Sequence, residues 1–428
     1  MTRTVTAARI AAAVATVLSL MIVEPVAATA QPQEGAWPTD FHAWSSQRDL
    51  TSGTAERVLL GDRSVTLAGG ATDGSWTSPW YAPAAGFTQL VPSWQTNTPP
   101  GSWVEIGLQV RTATTESRWY VMGRWAFGTS AIEPGSVDKQ SDDLGVIYTD
   151  TFVARPTAPG GRPAAYRLRG TLHAAAPAAT GGMPAAGPAA APGFGPTLRQ
   201  LAATAAVPGA LPATSEPVSR QPVELAVPRY SQSTHSGEYP KFGGGGAVWC
   251  SPTSTSMVLS YWGAGPTAAD VESLPPDKVF DRNGRADGMV DWAAVHTWDH
   301  VYDGAGNWPF NAAYAAEYGL DGSIRQYSTL RAVESWVRRG VPIVVSIRWD
   351  NTDDDPANDL DGSSITRTDG HIMLVVGFTA GGDVVANDPA SPTNAAVRHV
   401  YRRDQFERNW LRASDGTAYV IKPYSIRG

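Results

Sequence analysis

The chain has 428 residues, 17% of them charged, and its formal net charge is −7 at pH 7. A mildly acidic chain lacks the basic surface that nucleic acid or anionic lipid requires, so we expect neither as a partner. The length suits two domains. Sixteen tryptophans in a chain with so few charges favour β-rich domains with aromatic surfaces.

The first thirty residues have the pattern of a secretory signal peptide. Arg3 and Arg9 precede an apolar run, 10–23, that is too short to span a bilayer comfortably, and the small residues 28–30 form a cleavage site. An uncleaved N-terminal anchor is the alternative. Cleavage would remove two Arg and one Glu and leave a net charge of −8. We therefore expect a secreted, extracellular protein with no membrane partner after cleavage.

Residues 36–207 contain many short candidate strands and no convincing helical period. Examples are the stretches 57–60, 87–91, 103–110 and 118–122. Apolar and polar residues alternate in 103–110, and a turn sequence at 97–101 precedes it. This pattern predicts an all-β sandwich, jelly-roll-like in type, that serves as an accessory domain.

The aromatic residues of this region allow two interpretations. Six tryptophans could form a carbohydrate-stacking platform or a core: Trp76, Trp80, Trp94, Trp103, Trp119 and Trp125. Core packing is favoured because large aromatic side chains dominate sandwich cores. His42 and His173 stand alone and are expected to be structural or solvent-facing.

Two stretches of biased composition separate the halves of the chain. Residues 174–195 are nearly all Ala, Pro and Gly, which predicts a flexible segment. Residues 197–202 could return as a further strand or a short helix. We therefore place the linker at 208–222 and a second domain at 223–428.

Cys250 is the only cysteine, so no intramolecular disulfide can form and the thiol needs another explanation. Helical spacing of apolar residues follows it, Pro252 suits a first helical position, and Gly263 suits a stop. A thiol at a helix N-terminus faces unpaired N–H groups and the positive end of the dipole, which favour the nucleophilic thiolate. The alternative is a buried, inert cysteine.

His371 and Asp388 fall on two candidate strands that form a hairpin. The strands 370–378 and 384–389 are joined by a turn at 380–382. This arrangement places the two side chains nearly opposite each other, where a carboxylate can hold one imidazole nitrogen. A helix at 329–339 and a buried strand at 341–347 precede the hairpin.

Together with Gln232, these residues supply the parts of a thiol acyl-transfer site. Cys250 would attack a carbonyl, His371 would accept and return its proton, and Asp388 would orient the imidazole. The side-chain amide of Gln232 and the Cys250 backbone N–H would hold the oxyanion. Gln232 could otherwise be an ordinary surface residue.

Four ordered motifs in residues 223–428 resemble the papain-like cysteine peptidases of family thirty-nine, the bacteriocin-processing, double-glycine-leader peptidases, in their secreted branch. The motifs are Val227-Pro228…Gln232, Trp249-Cys250-Ser251-Pro252-Thr253, Gly370-His371 and Asn387-Asp388-Pro389. The resemblance implies a papain-like α+β fold with these four residues in the roles given above.

The chain departs from that family pattern in two ways. Ser251 follows the cysteine where the family usually has Gly, which could tighten the approach to the nucleophile. No G-x-x-x-x-G-K-[ST] motif occurs, so the export ATPase of the best-known relatives is not implied.

Other candidate groups are weaker. As alternative bases, His235, His296, His300 and His399 are each expected to be solvated or structural. The acidic residues 350–361 invite a calcium interpretation, but their spacing does not match an EF-hand loop. One cysteine and scattered histidines do not match zinc-site spacing, so we expect no metal and no cofactor.

The sequence thus predicts a secreted cysteine peptidase that acts through a thioester on a peptide or protein substrate, with cell-wall peptide as one option. A monomer is expected. The first alternative is a peptidoglycan amidase or a transglutaminase-like acyl transferase, because the same triad serves both. The second is a catalytically inactive polymer-binding protein.

Overall fold

The computed structural model describes residues 36–175 and 195–427, so the predicted signal peptide and nearly all of the Ala/Pro/Gly-rich segment lie outside the described residues. Residues 36–207 contain one short helix and twelve strands within that description. They are β1 (Thr39–Trp44), α1 (Gln47–Thr51), β2 (Thr54–Glu56), β3 (Val58–Gly61), β4 (Ser64–Leu67), β5 (Asp73–Thr77), β6 (Gln89–Asn97), β7 (Trp103–Arg111), β8 (Tyr120–Trp125), β9 (Gly145–Tyr148), β10 (Thr151–Ala154), β11 (Ala165–His173) and β12 (Thr197–Ala206).

These strands form two antiparallel sheets. The seven-stranded sheet has the order β3-β4-β12-β6-β10-β9, with β1 also paired to β12, and the five-stranded sheet has the order β2-β5-β11-β7-β8. Residues 197–202, which allowed a strand or a helix, belong to β12. Helix α1 contradicts the expectation of no helix: Ser46 and Asp49 form a capping box, but one turn is too short to show a period.

The facing sides of the two sheets share one hydrophobic core. Tyr120 of the smaller sheet contacts Phe152 of the larger one at 5.7 Å between ring centroids. A Cβ on Gly170 would lie 2.6 Å from a Leu198 methyl carbon, so glycine permits the close approach of the sheets.

The six tryptophans divide equally between two environments. Trp76, Trp94 and Trp125 are fully buried, as core packing predicts. The others are partly exposed, and arginine guanidinium groups cover Trp80 and Trp119 at 4.3–5.2 Å from the ring centroids. These arginine contacts, rather than an open aromatic platform, characterise the outer face of the smaller sheet.

The C-terminal half adds seven strands and seven α-helices among the described residues. They are β13 (Val223–Glu224), α2 (Cys250–Tyr261), α3 (Ala268–Glu272), α4 (Lys278–Arg282), α5 (Met289–His296), α6 (Trp308–Glu317), β14 (Asp321–Gln326), α7 (Leu330–Arg338), β15 (Ile343–Asp350), β16 (Arg367–Phe378), β17 (Val384–Asn387), β18 (Arg398–Tyr401), α8 (Arg403–Ser414) and β19 (Thr417–Lys422). The strands form one sheet of order β14-β19-β15-β16-β17-β18, with β13 also paired to β16.

The central strand β16 is covered on both faces. Ile372 and Leu374 share a core with α2, whereas Met373 and Val375 share a core with α7 and α8. Burial on both faces explains the continuous apolar sequence of this strand, which a half-exposed strand would interrupt with polar residues.

The two halves pack closely against each other. Residues 90–96 of β6 are buried without interruption because α6 covers the face of β6 that does not meet the smaller sheet. Phe310 of α6 lies between Trp94 and Trp125, at 6.0 and 5.2 Å between ring centroids. The described residues of both halves accordingly belong to one compact unit. In the described part of the chain, no helix is both long enough and apolar enough to cross a membrane.

Candidate active site

Cys250 is the first residue of α2 and is partly exposed. The helix begins two residues before the predicted position, so Pro252 is its third residue; a proline is tolerated there because the first four N–H groups have no intrahelical acceptor. Residues 251–259 are all buried, and the indole of the fully buried Trp249 donates to the Phe242 carbonyl at 2.6 Å. Packing therefore holds the start of α2 in place.

His371 and Asp388 meet as the hairpin predicts. Strands β16 and β17 pair in antiparallel register, with Leu374 opposite Asn387, and a turn hydrogen bond joins Gly382 to Thr379. Nε2 of His371 lies 2.8 Å from Oδ1 of Asp388. Both side chains are buried, with 4% and 0% exposure.

The Asp388 carboxylate is fully engaged. Oδ1 also accepts from the Ala390 N–H at 2.9 Å, and Oδ2 accepts from the Tyr401 hydroxyl at 2.9 Å. Burial raises the pKa of Asp388, but the charge and hydrogen bond of His371, together with these two donors, lower that pKa to about 2. The aspartate is thus a fixed anion near neutral pH.

The imidazole of His371 is held in its charged form. Burial lowers its pKa, but the charge and hydrogen bond of Asp388, with a smaller contribution from Cys250, outweigh burial and raise the pKa to about 10. Because Nε2 pairs with Asp388, Nδ1 is the ring nitrogen left for the Cys250 thiol. Nδ1 is thus the position from which the imidazole can exchange a proton with the nucleophile.

A cavity of about 520 Å³ opens at Cys250 and His371. Its walls come from residues 302–306, Trp308 and residues 369–372, with contributions from Ser346 and Ala413. Asp303 and Asp369 place exposed carboxylates on it, and none of the described residues that line it is Lys or Arg. The cavity is therefore electrostatically negative at its rim.

The backbone of Gln232 is bonded to the loops that carry Asp388 and Cys250, but Gln232 does not line the cavity. It begins a 3₁₀ turn, Gln232–His235, and its N–H donates to the Pro389 carbonyl, next to Asp388, at 2.9 Å. Its carbonyl accepts from Gly246 at 3.1 Å, in the loop that leads to Cys250. Its side-chain oxygen is buried without a hydrogen-bond partner, and the residue is not among those that line the cavity.

Ser251 points away from the cavity. It is buried, and its hydroxyl lies 3.0 Å from the Tyr419 hydroxyl on β19. The larger side chain at this position is therefore accommodated behind α2 and does not tighten the approach to Cys250.

One cavity wall depends on contacts that no sequence motif predicted. The segment 299–308 is held by loops of the N-terminal half: the Trp308 N–H donates to Asp150 at 3.0 Å, and the Ser136 N–H donates to Asp299 at 3.0 Å. The His300 N–H donates to the Pro134 carbonyl at 2.9 Å. These contacts join residues more than 150 positions apart, so local sequence carries no signal for them.

The other histidines differ from one another. His296 stacks on Trp292, and burial lowers its pKa to about 4. His399 contacts the Ser364 and Ser391 hydroxyls at 3.0 and 2.9 Å. His235 is not solvated: it is buried beside two carboxylates, which fits the structural alternative.

The acidic segment 350–361 does not form a convergent ligand set. Asp350 and Asp353 bind nearby backbone N–H groups and side chains of their own loop. Among the residues that the structure describes, the one group of His, Cys, Asp or Glu whose ligand atoms converge is elsewhere, at His235, Glu238 and Asp291.

Two family models match the chain. Residues 40–190 match the Peptidase C39 N-terminal domain, and residues 224–418 match the Peptidase_C39 like family. Both matches are to models of C39 peptidases, and together they cover most of the chain. They confirm the resemblance inferred from the four motifs and indicate a hydrolase of the cysteine peptidase type.

The chain is also similar to a solved structure described as a candidate C39-like peptidase from Bacillus anthracis. The two share 14% identity with a TM-score of 0.30, over 47% of this chain and 98% of that one. A search of curated proteins finds no match.

Proposed function

We propose that the protein is a secreted cysteine peptidase that hydrolyses peptide bonds with Cys250, His371 and Asp388. The observation that carries the proposal is the buried His371–Asp388 pair, 2.8 Å apart, which faces the same cavity as the thiol at the start of α2. A nucleophile, a base and an orienting group at one cavity are the requirements for acyl transfer.

The proposed reaction begins when the Cys250 sulfur attacks the scissile carbonyl carbon. The new S–C bond forms a tetrahedral oxyanion, and His371 then donates its proton to the leaving amine as the C–N bond breaks. Water attacks the resulting thioester and gives a proton to His371. The C–S bond then breaks and releases the acid and the Cys250 thiolate beside the protonated His371, as at the start. Asp388 holds the ring by Nε2 throughout, so proton exchange falls to Nδ1.

The oxyanion would be held by the Cys250 backbone N–H, which has no intrahelical acceptor because the helix starts there. Gln232 is proposed as the second donor. Its backbone ties to Pro389 and Gly246 connect it to the loops that carry Asp388 and Cys250. Its side chain would contribute after a rotation that brings the amide N–H toward the cavity.

The charge of the cavity supports a substrate class. Asp303 and Asp369 line it, and none of the described lining residues is Lys or Arg. We therefore propose peptides that carry a cationic side chain or a free amine beside the scissile bond, since such groups complement two carboxylates.

The proposal includes the fold type of each half and the cellular location of the protein. A helix with an N-terminal cysteine, packed on a sheet that carries the histidine, supports the papain-like description of residues 223–428. Two antiparallel sheets with a shared core support a jelly-roll-like sandwich for 36–207. We propose extracellular action as a monomer.

Hydrolysis can be tested with a peptide library and mass spectrometry under reducing conditions, on the chain without residues 1–30. We expect cleaved products and a transient adduct of acyl mass on Cys250. The same reaction with an added primary amine separates hydrolysis from acyl transfer. Cleavage of peptidoglycan amides alone would support the amidase instead.

The substrate class can be tested with matched peptides that differ only in Lys or Glu near the scissile bond. We expect Asp303→Asn and Asp369→Asn each to lower the Lys-to-Glu ratio of kcat/KM about threefold to tenfold. Asp354→Asn, an exposed carboxylate outside the cavity, is the matched control. An unchanged ratio in both cavity variants would contradict the proposed preference.

A further inference from the structure

A second buried group of ionisable side chains lies outside the cavity. His235 ends the 3₁₀ turn that Gln232 begins, Glu238 follows in the next loop, and Asp291 lies in the first turn of α5. Their exposures are 2%, 1% and 0%. Nδ1 of His235 lies 2.7 Å from Oε2 of Glu238 and 3.0 Å from Oδ2 of Asp291.

Three buried atoms of this group have no hydrogen-bond partner. They are Nε2 of His235 and both carboxylate oxygens of Asp291, of which Oδ2 has only the ion-pair contact to His235. Native proteins rarely leave buried polar atoms unpaired, because their desolvation is then not compensated. By contrast, Glu238 is well supported, since Asn283 donates to its other oxygen at 2.7 Å.

The group places two buried carboxylates beside one imidazole. None of the ion pairs among the described residues brings a Lys or Arg to Glu238 or Asp291. Two buried carboxylates are costly unless bound protons or a cation compensate their charge.

We propose that His235, Glu238 and Asp291 bind a divalent transition-metal cation, with Zn²⁺ as the first candidate. One atom from each residue can contribute, and these atoms lie within 4.8 Å of one another. A neutral imidazole with two carboxylates balances a divalent charge, and Zn²⁺ accepts mixed nitrogen and oxygen ligands at about 2.0–2.2 Å. Asn283 would orient Glu238 behind the metal.

The proposed site connects three segments around the catalytic helix. It joins the turn that begins with Gln232 to α5, and the ring of Trp249, which precedes Cys250, lies 6.0 Å from the His235 ring between centroids. The role is structural, because none of the three ligands lines the Cys250 cavity. The spacing in sequence, with Asp291 more than fifty residues from Glu238, explains why zinc motifs did not indicate it.

The test uses the chain with Cys250→Ser, which removes the thiolate as a competing metal ligand and makes the result independent of peptidase activity. Zn²⁺ is titrated into chelator-treated protein by calorimetry in two buffers of different ionisation enthalpy. We expect one Zn²⁺ per chain, proton release on binding, and a Tm that rises with free Zn²⁺.

Glu238→Gln and Asp291→Asn, made in the same background, should each weaken Zn²⁺ binding at least about tenfold to 100-fold. Asp354→Asn should leave the affinity unchanged. Circular dichroism establishes whether each variant folds. The metal site would be contradicted if Zn²⁺ did not bind stoichiometrically, or if both ligand variants bound Zn²⁺ as tightly as the Cys250→Ser parent. The three side chains would then only share a proton.

X-ray absorption of the Zn²⁺-loaded Cys250→Ser chain gives a second test that needs no ligand variant. We expect nitrogen and oxygen neighbours only, with the scattering of one imidazole. Two or more imidazoles would place the metal elsewhere and contradict the proposal.

Discussion

Two buried histidines in this protein carry carboxylate partners at nearly the same distance, yet their surroundings differ. His371 has one carboxylate, 2.8 Å away, and that carboxylate is satisfied by Ala390 and Tyr401. His235 has two carboxylates at 2.7 and 3.0 Å, and unpaired atoms remain on His235 and Asp291. Only His371 reaches a cavity and a thiol.

The difference shows how one residue type serves two purposes. A single, fully bonded carboxylate fixes one imidazole nitrogen and leaves the other for proton exchange with Cys250. Two carboxylates with incomplete hydrogen bonding create a surplus of negative charge that a metal ion or a shared proton must neutralise. Raised pKa values occur at both histidines, so the pKa alone does not identify the catalytic one.

The largest expected effect comes from the nucleophile. Cys250→Ser should lower kcat/KM at least about 10⁴-fold, because His371 and Asp388 would have to deprotonate a serine hydroxyl, which is a much weaker acid than a thiol. Ser251→Ala is the adjacent control, with a change within about threefold, since Ser251 contacts Tyr419 behind the helix. Equal losses in both variants would indicate a folding effect.

Gln232→Ala should lower kcat about 10²-fold if the amide stabilises the oxyanion. Thr234→Ala, on the same turn, keeps the local backbone and should change kcat by less than threefold. Thr234 only donates from its hydroxyl to the Ser231 carbonyl. A Gln232→Ala enzyme with normal kcat would remove this residue from the site, and the Cys250 N–H would remain the only proposed donor.

Asp388→Asn tests the role of the one carboxylate that pairs with His371. The Asn carbonyl still accepts from Nε2 of His371, so we expect a smaller loss of kcat/KM than for Asp388→Ala. Loss of the negative charge lowers the pKa of His371 from about 10 toward 6.5, so the imidazolium deprotonates at lower pH. The alkaline limb of the kcat/KM profile should therefore move to lower pH; an unmoved limb would exclude Asp388 as the charge partner.

Asp291→Asn tests the other cluster through stability, in metal-free buffer. The folded-state pKa of Asp291, about 7, exceeds its ordinary value of 3.8. The folded state therefore binds more protons than the unfolded state between these values, and wild-type stability falls as pH rises through that window. The neutral amide of the variant lacks this effect. Urea unfolding should therefore show that, from pH 5 to 8, the free energy of unfolding of the wild type falls relative to that of the variant by about 2 kcal/mol. Parallel stability curves would contradict the raised pKa.

The sequence predicted those parts of the site that depend on local pattern. The turn at 380–382 set the register that brings His371 to Asp388, and the apolar spacing after Cys250 predicted α2. Papain-like and jelly-roll-like descriptions remain predictions about the finer topology.

What the sequence could not show depends on distant contacts. The Asp150–Trp308 bond joins two halves of the chain, and Asp291 reaches His235 only because α5 packs beside α2. Neither contact is indicated by a periodic pattern or a characteristic spacing in the sequence. The side-chain direction of Ser251 was similarly undetermined until Tyr419 supplied its partner.

The most direct measurement is the rate of Cys250 alkylation by iodoacetamide as a function of pH, in the wild type and in His371→Ala. The chain has one cysteine, so the signal has one source. We predict rapid alkylation well below pH 7 in the wild type, and loss of that reactivity in His371→Ala, as a thiolate–imidazolium pair requires. A wild-type thiol that reacts like free cysteine, unchanged by His371→Ala, would contradict the proposed catalytic site.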